Sequence, residues 1–291
     1  QQKIWIKPMD MVTVQLGRIY DDTLRGNAAF GSFNWYRGLG NGDGEDITFS
    51  RIGIEGSREA FQVAIAPMDE LYVSAYFYDL DKDLLENMFS KMQFTVGYSI
   101  DGIGQFKAQV LTSAVYETVA TSTYEIDQDT GTIVSVAGTA NTNKVAETGA
   151  KVEVAFNYTG MENLFVEAGF AMETNDKVDP LKAKDINIYA RYGMDDITLH
   201  FLSKNSIIDV GDTEVIYKMV VGVDYNIGDG LAAAADFGFT GTTIDDVDAE
   251  ITGFAGVTKG FSNGVIGAGV QFKNDGNDTF FGIPVRMEYW F

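Results

Sequence analysis

Apolar and polar residues alternate along most of this chain, and the end of the chain shows the pattern most clearly. Alternate positions of the last segment form one apolar row, which consists of Ile283, Val285, Met287, Tyr289 and Phe291. Arg286 and Glu288 stand between them. Because successive side chains of a strand point to opposite faces, this spacing predicts a strand with one apolar and one polar face.

The same alternation recurs upstream. The clearest apolar rows are Phe94/Val96/Tyr98, Phe106/Ala108/Val110, Val152/Val154/Phe156, Leu164/Val166/Ala168/Phe170/Met172, Ile186/Ile188/Ala190/Tyr192, Ile197/Leu199/Phe201 and Val215/Tyr217/Met219/Val221/Val223/Tyr225. The mean hydropathy is −0.04, and no apolar run approaches the length of a membrane-spanning helix. A helical membrane protein is therefore excluded, whereas a membrane barrel is not, because alternating strands average out in a hydropathy window.

Short turns and longer polar stretches alternate between the predicted strands. The short turns lie at 101–104, 159–163, 194–196, 227–230 and 262–263, and the longer stretches at 79–91, 113–146, 174–184, 205–213, 241–248 and 274–278. Outer-membrane barrels have short periplasmic turns and long external loops. In such a barrel, this order would place the C-terminus on the short-turn side.

The strand count has two solutions. If residues 28–36 and 47–55 are strands, the total is near sixteen. If they form a hairpin within one long loop, it is fourteen. A closed single-chain barrel of bacterial type favours an even number, and both solutions satisfy that rule. We favour an all-β, antiparallel transmembrane β-barrel of about 16 strands, forming a single domain over residues 1–291.

Alternation alone does not determine which face of the sheet is in contact with water. A soluble barrel would bury the apolar rows, and a membrane barrel would expose them to lipid. Fourteen to sixteen strands enclose more space than one row of side chains per strand can fill. We therefore expect the apolar rows to face outwards.

The aromatic residue that closes the alternating tail resembles the C-terminal signature of bacterial outer-membrane β-barrels, the porins among them. Residues 16–26 also resemble the end of an early porin strand that runs into the first external loop. The resemblance implies a general-diffusion porin in the outer membrane, and it implies that Tyr289 and Phe291 are an assembly signal read by the barrel-assembly machinery. The clustered arginines of a porin constriction have no residue-by-residue match here.

The composition agrees with a barrel and limits the kinds of chemistry and of partner that the chain could have. There are 32 Gly, 14 Tyr, 20 Phe and 4 Pro, which suits many strands with tight turns and aromatic belts. The chain has no cysteine, so disulfides, thiolate nucleophiles and cysteine-based metal sites are impossible. A formal net charge of −21 disfavours nucleic acid as a partner. Such acidity indicates either simple solubility or acidic pore mouths that concentrate cations.

If the apolar rows face outwards, a set of mostly charged residues points into the barrel. It comprises Lys107, Gln109, Lys151, Glu153, Glu167, Arg191, His200, Lys218, Asp224, Asp236, Arg286 and Glu288. Basic and acidic members balance, so most of the excess acid must lie in loops and turns. In general-diffusion porins, which the chain resembles, opposed basic and acidic sets face each other across a constriction narrowed by an infolded loop.

The longest loop, residues 113–146, is the candidate for that infolded loop. It carries the acidic residues Glu117, Glu125, Asp127 and Asp129. The alternative is a surface hairpin that turns at Asp129, Thr130 and Gly131.

Small outward-facing residues on successive strands predict a subunit interface. The set is Ala233, Ala235, Gly253, Ala255 and Ala268. Small residues cover lipid poorly but allow close packing between proteins. The porin resemblance implies a homotrimer, and the alternative is a flattened wall that accommodates twist.

The only histidine, His200, does not indicate an enzyme. Ser203 and Asp195 are near it in sequence, but strand spacing does not place them as partners of a catalytic triad. We predict no enzyme activity, no cofactor and no metal.

The sequence favours a passive, water-filled porin for small hydrophilic solutes and ions, with mild cation preference. One alternative is a substrate-selective channel for sugars, in which the inward residues Tyr72, Tyr76, Tyr78 and Tyr189 provide a stacking surface. Another is a surface structural or adhesion barrel without a channel.

The expected location is the bacterial outer membrane, in contact with a leaflet of the lipopolysaccharide type. The sequence opens at Gln1 without a secretory signal, so we expect a leader to have been removed. A missing N-terminal strand is the other interpretation.

Overall fold

The computed structural model describes residues 3–20, 57–78, 92–126, 133–177, 179–209 and 211–290. Within these ranges, the regular secondary structure consists of strands. No helix in the described part of the chain has the length and hydropathy that a membrane span requires.

Sixteen strands occupy the described residues. They are β1 (Lys3–Met9), β2 (Val12–Tyr20), β3 (Ser57–Met68), β4 (Leu71–Tyr78), β5 (Met92–Ile100), β6 (Gly104–Ile126), β7 (Ile133–Met161), β8 (Leu164–Glu173), β9 (Lys184–Met194), β10 (Ile197–Asp209), β11 (Thr213–Gly228), β12 (Leu231–Thr242), β13 (Glu250–Phe261), β14 (Gly264–Asn274), β15 (Thr279–Gly282) and β16 (Val285–Tyr289).

All strands belong to one antiparallel sheet in which each pairs with its neighbour in the sequence as far as β15. The all-β antiparallel class and the predicted number of about 16 strands are thus confirmed. The predicted alternation of short and long connections is present except between β10 and β11, where the predicted long stretch at 205–213 is reduced to residues 210–212, because β10 extends to Asp209. The connections β1–β2, β3–β4, β5–β6, β7–β8, β9–β10, β11–β12 and β13–β14 are the short ones.

The last two strands share one place in the sheet, because β15 and β16 both pair with β14. The sequence predicted one unbroken strand here, and the break falls at Ile283 and Pro284. Proline has no N–H to donate to a ladder. Its carbonyl still accepts a hydrogen bond from the Gly269 N–H at 3.0 Å, so the chain resumes its pairing at once.

The strand pairing in the N-terminal third differs from the predicted arrangement in which residues 28–36 and 47–55 are strands. Strand β2 pairs directly with β3, from Val12 opposite Ile65 to Tyr20 opposite Ser57. The predicted strands at 28–36 and 47–55 lie outside the described residues. The count of sixteen is therefore reached without them, with β15 and β16 counted separately.

The two faces of the sheet have the reverse of the polarity of a soluble protein. Polar side chains are among the most buried, including Gln62, Ser74, Gln93, Gln109, Glu153, Glu167, Asn187 and His200. The predicted apolar rows lie on the exposed face, where Phe94 is 44%, Val221 51% and Val270 59% exposed. Water would penalise such a surface and hydrocarbon would not. This polarity is that of a transmembrane β-barrel wall, and the predicted orientation of the rows is confirmed.

The turn between β11 and β12 illustrates how the short connections form. Asp229 and Gly230 have φ angles of 53° and 74°. Two successive residues with positive φ make the type I′ hairpin turn, whose twist matches that of the strands. The sequence predicted this turn because aspartate and glycine tolerate that conformation better than other residues do.

One inner region of the sheet depends on an aromatic ring packed over glycines. The ring of Phe254 on β13 lies against Gly256 and Gly269. A Cβ at Gly269 would lie 2.9 Å from Phe254 Cε2 and 2.7 Å from the Ala255 carbonyl oxygen. The two glycines thus leave the space that this ring occupies.

Candidate functional site

The candidate site is the inner, polar face of the sheet. Strand pairing places residues of neighbouring strands at the same height, and one such level crosses β9 to β12. Arg191 is opposite His200, His200 is opposite Gly222, and Gly222 is opposite Asp236. Register therefore brings three of the predicted inward residues to one height on adjacent strands.

His200 is the centre of a hydrogen-bonded network that joins three strands. Its Nδ1 lies 2.8 Å from Tyr189 Oη on β9, and its Nε2 lies 2.7 Å from Asp224 Oδ2 on β11. Tyr189 and His200 are buried, with 1% and 5% exposure. Both contacts are diagonal, and the residue directly opposite on β11, Gly222, has no side chain to obstruct the ring.

The partners of His200 differ from its neighbours in sequence. Its hydrogen-bond partners Tyr189 and Asp224 come from the adjacent strands, whereas Ser203 and Asp195 are only near it in sequence. Sequence spacing did not identify them because the register between strands determines which residues meet. The neutral imidazole can donate from Nε2 to the Asp224 carboxylate while Nδ1 accepts from the Tyr189 hydroxyl.

Four of the predicted inward residues are buried in the wall: Gln109, Glu153, Glu167 and His200. Gln109 and Glu153 lie directly opposite each other on β6 and β7. Glu167 accepts a hydrogen bond from the Asn157 side chain, and Lys107 interacts with it electrostatically. These side chains lie within the wall, and almost none of their surface is exposed.

The other eight are half-buried: Lys107, Lys151, Arg191, Lys218, Asp224, Asp236, Arg286 and Glu288. Lys151 lies opposite Glu173 across β7 and β8. Arg191 places its guanidinium 5.9 Å from the centre of the Phe165 ring. Arg286 donates to Glu288 on the same strand. Charges of both signs are thus interspersed along the inner face.

One inward lysine is absent from the set predicted from the sequence. Lys204 of β10 lies directly opposite Lys218 of β11, on the same face as His200. The signal was present in the sequence, because Lys204 continues the alternation of His200 and Leu202. The predicted loop at 205–213 begins directly after Lys204, whereas β10 extends to Asp209.

A second set that the sequence did not identify connects β1 to β4. Lys3 Nζ donates to Gln15 Oε1 at 2.8 Å, Gln15 Nε2 donates to Gln62 Oε1 at 2.9 Å, and Gln62 Nε2 donates to Tyr72 Oη at 3.4 Å. This ladder holds four neighbouring strands together through side chains. Amide side chains suit it because each can accept from one side and donate to the other.

The proposed sugar-stacking surface is reduced by burial. Tyr76 is 0% and Tyr189 1% exposed, so neither ring is open to a ligand. Tyr72 and Tyr78 are half-buried, and the hydroxyl of Tyr78 donates to the Thr112 carbonyl oxygen at 3.2 Å. The expectation that all four rings form one platform is therefore wrong.

The predicted loop at 113–146 is largely a continuation of the sheet. Strands β6 and β7 remain paired as far as Ile126 opposite Ile133, with irregularities around Tyr116. This is the backbone of the hairpin that was the alternative to an infolded loop. Glu117 is half-buried beside the irregularity and Glu125 is opposite Val134. Asp127 and Asp129 lie outside the described residues.

The predicted interface residues form one patch on the outer face. Ala235 is opposite Ala255, Ala233 is opposite Val257, and Val257 is opposite Ala268. They line a shallow apolar depression of about 490 Å³. Gly253 is not part of this lining and lies under the ring of Phe272. The strand pairing thus assembles the small residues as the sequence predicted.

The predicted assembly signal lies at the sheet edge. Tyr289 is opposite Gly264 on β14, and 53% of it is exposed. Phe291 lies outside the described residues.

No protein-family model matches the sequence, and no curated protein matches it. The solved structures that are similar over most of the chain include an outer-membrane protein and a porin. OmpT of Vibrio cholerae, described as outer-membrane expressed, is 13% identical, covers 83% of this chain and 68% of its own, and has a TM-score of 0.42. The anion-selective porin from Comamonas acidovorans is 11% identical, covers 82% of this chain and 85% of its own, and has a TM-score of 0.40. At these scores, neither similarity supports an argument about function.

Proposed function

We propose that this protein is a porin that forms a water-filled channel in a bacterial outer membrane. Small hydrophilic solutes and ions would cross it by passive diffusion. The observation that supports this proposal is the reversed polarity of one sixteen-stranded sheet, with polar side chains inside and apolar rows outside. A wall of this kind suits lipid on one side and water on the other.

The half-buried charges are the candidates for contact with the solute. Arg191 lies on β9, Lys218 and Asp224 lie on β11, and Asp236 lies on β12. Charges of both signs would orient polar solutes and disfavour apolar ones. The buried residues Gln109, Glu153 and Glu167 would stabilise the wall instead.

Single-channel recording in planar lipid bilayers tests the proposal. Protein purified in detergent should insert in steps of uniform, ohmic conductance that rise in proportion to salt concentration. A heat-denatured sample in the same detergent is the control for leaks. A correctly folded sample that produced no steps would reject the channel and favour a structural or adhesion barrel.

The predicted ion preference is mild and towards cations. The net charge is −21, while the predicted inner charges balance, so the acidic excess lies mainly in loops and turns. Acidic pore mouths would raise the local cation concentration. The reversal potential across a KCl gradient measures this preference directly.

The alternative of a sugar-selective channel now depends on Tyr72 and Tyr78. Their half-buried rings leave less aromatic surface than the four tyrosines first considered. Concentration-dependent block of the current by sugars would support this alternative over a general porin.

The expected surroundings follow from the same proposal. The apolar outer face would lie in lipid, with the long connections near a leaflet of the lipopolysaccharide type. The patch of small residues would form the contact of a homotrimer. The C-terminal strand, with Tyr289 and Phe291, would be the segment that the barrel-assembly machinery recognises.

A further inference from the structure

We propose that Arg191 is a binding site on the inner wall for the carboxylate group of a solute. The inference rests on the proposed channel function and adds a class of solute to it. It starts from strand register: Arg191 of β9 lies directly opposite Phe165 on β8 and directly opposite His200 on β10. Both of these neighbours are buried on the inner face, with 5% exposure each.

The guanidinium of Arg191 is held against an aromatic ring. Its Cζ lies over the ring of Phe165, 5.9 Å from the ring centre. A cation in this position is attracted by the π-system, and guanidinium groups in particular stack on aromatic faces. The contact holds the charge in place without supplying an oxygen acceptor to its five N–H donors.

Those donors remain available for a ligand. Within the part of the chain that the structure describes, Arg191 makes no hydrogen bond and no ion pair. Arg286, the other arginine of the predicted inward set, instead donates to Glu288 on its own strand. Arg191 is half-buried on the polar face, so in a water-filled channel its donors are hydrated. The carboxylate of a passing solute can take the place of that water.

The surroundings of Arg191 are rigid. Tyr189, two residues earlier on the same face of β9, is 1% exposed. The centre of its ring lies 6.1 Å from that of Phe165 and 6.1 Å from that of His200. The hydroxyl of Tyr189 also lies 2.8 Å from His200 Nδ1. Because these three rings fix one another, a solute does not have to order them on binding, which favours affinity.

The class of ligand follows from the shape of the guanidinium and from the nearby charges. Its planar fork matches the two oxygens of a carboxylate, and such a charge-assisted pair is stronger than a bond between neutral groups. Two carboxyl groups on neighbouring strands already have contacts: Glu167 accepts from Asn157, and Asp224 Oδ2 lies 2.7 Å from His200 Nε2. Negative charge on these groups disfavours a doubly charged phosphate more than a singly charged carboxylate.

The test uses benzoate as the probe and benzamide as its neutral analogue of nearly the same size and shape. Three proteins are compared in planar bilayers: the wild type, Arg191→Lys and the matched control Arg286→Lys. At both positions, lysine keeps the positive charge but lacks the planar fork. Arg286 suits the comparison because it is half-buried on the same face and already donates to a carboxylate of the protein.

In the wild type, benzoate should reduce the KCl current in a saturable manner, and benzamide should not. In Arg191→Lys, the half-blocking concentration of benzoate should rise by about tenfold, the effect of one lost charge-assisted hydrogen bond. Arg286→Lys should keep the wild-type value. An unchanged half-blocking concentration in Arg191→Lys would overturn the site. Equal block by benzamide, or a conducting wild type that benzoate does not block, would overturn it as well.

A failure of the channel function is distinguishable from a failure of the site. If no protein conducts, the channel function fails, and the site is then tested by NMR of the folded, ¹⁵N-labelled protein in detergent micelles. The Nε–Hε signal of Arg191 is assigned by its absence from the spectrum of Arg191→Lys. A saturable shift of this signal with benzoate but not with benzamide supports the site, and a signal that does not move rejects it.

Discussion

His200 Nε2 lies 2.7 Å from Asp224 Oδ2, and this contact joins β10 to β11 diagonally across the space that Gly222 leaves. On the other side, His200 Nδ1 lies 2.8 Å from Tyr189 Oη on β9. One imidazole thus connects three strands on the inner face. A buried polar group that loses its partner costs about 1–3 kcal/mol, more when the group is charged.

Replacement of His200 by phenylalanine should therefore destabilise the protein. His200→Phe keeps a ring but removes both nitrogen atoms, so Tyr189 and Asp224 each lose a hydrogen bond. We expect a loss of about 2–4 kcal/mol. Urea unfolding in detergent micelles, followed by tryptophan fluorescence, measures it.

The milder variant Tyr189→Phe is the comparison for His200→Phe. It removes one hydroxyl at one end of the network and should cost about 1 kcal/mol. If both variants unfold at the wild-type urea concentration, the network does not stabilise the wall.

The second prediction concerns the ring of Phe254 over Gly256 and Gly269. Gly269→Val would force a branched side chain into space that the ring and the Ala255 carbonyl already occupy. We expect destabilisation of about 1–3 kcal/mol, the usual range for overpacking. Gel electrophoresis of samples heated to increasing temperatures measures this loss. The folded form of the variant should disappear at a lower temperature than that of the wild type.

Gly97→Ala is the matched control, since Gly97 is also an inward strand glycine. A Cβ there would have its nearest neighbours at 3.9 Å and 4.0 Å, which is ordinary contact. This variant should be neutral or slightly more stable, because alanine restricts the unfolded chain. Equal effects of both substitutions would show that the Phe254 ring is not the cause.

Alternation in the sequence was sufficient to predict the strands and the two faces of the wall. The phase of each row, for example Ile197, Leu199 and Phe201 against His200, determines which side chains share a face. Because the wall of a membrane barrel has lipid on one side and water on the other, all apolar rows of the sheet could be assigned to the same face. The turn at Asp229 and Gly230 was predictable for a local reason, the conformational preference of its residues.

The contacts across the wall were not predictable from the sequence in the same way. They depend on the register between strands. The connections determine this register, whereas the alternation is compatible with any registers that differ by two residues. The sequence therefore did not identify Tyr189 and Asp224 as the partners of His200. The inward Lys204 was not predicted, and the polar run at 205–213 resembled a loop, although a polar inner face makes such runs ordinary in a membrane strand.

The third prediction is a pH effect in the connection between β14 and β15. Asp275 Oδ1 accepts hydrogen bonds from the backbone N–H of Asp278 at 2.9 Å and of Asn277 at 3.1 Å. These bonds favour the carboxylate, so the pKa of Asp275 is lowered, chiefly by the bond from Asp278. A group with a lowered folded pKa stabilises its turn above the unfolded pKa of about 3.9, and the contribution is lost as the pH falls through the folded pKa.

Hydrogen exchange of the Asn277 and Asp278 amides tests this pH dependence. After correction for intrinsic rates, their protection should be constant above about pH 4–5 and should fall in more acidic solution. Asp275→Asn is the control, because its neutral side chain should leave protection independent of pH over that range. A wild type that behaves like this variant would contradict the prediction.

The fourth prediction tests the proposed subunit contact. Ala235 and Ala255 lie opposite each other in a depression whose lining is apolar and small. Lipid chains pack against such a surface no better than against a larger side chain, whereas a neighbouring protein can approach closely. Ala235→Trp/Ala255→Trp would fill the depression while keeping the outer face apolar.

We therefore expect the variant to insert into membranes and conduct, but to migrate as a monomer on a native gel. Val96→Trp is the control: it enlarges an outward residue on β5, away from the patch, and should leave the oligomer unchanged. Light scattering in detergent gives the mass of each species independently of shape. An intact oligomer in the double variant would assign the small residues to wall curvature instead, because a tryptophan pair could not remain in a close protein contact without separating the subunits.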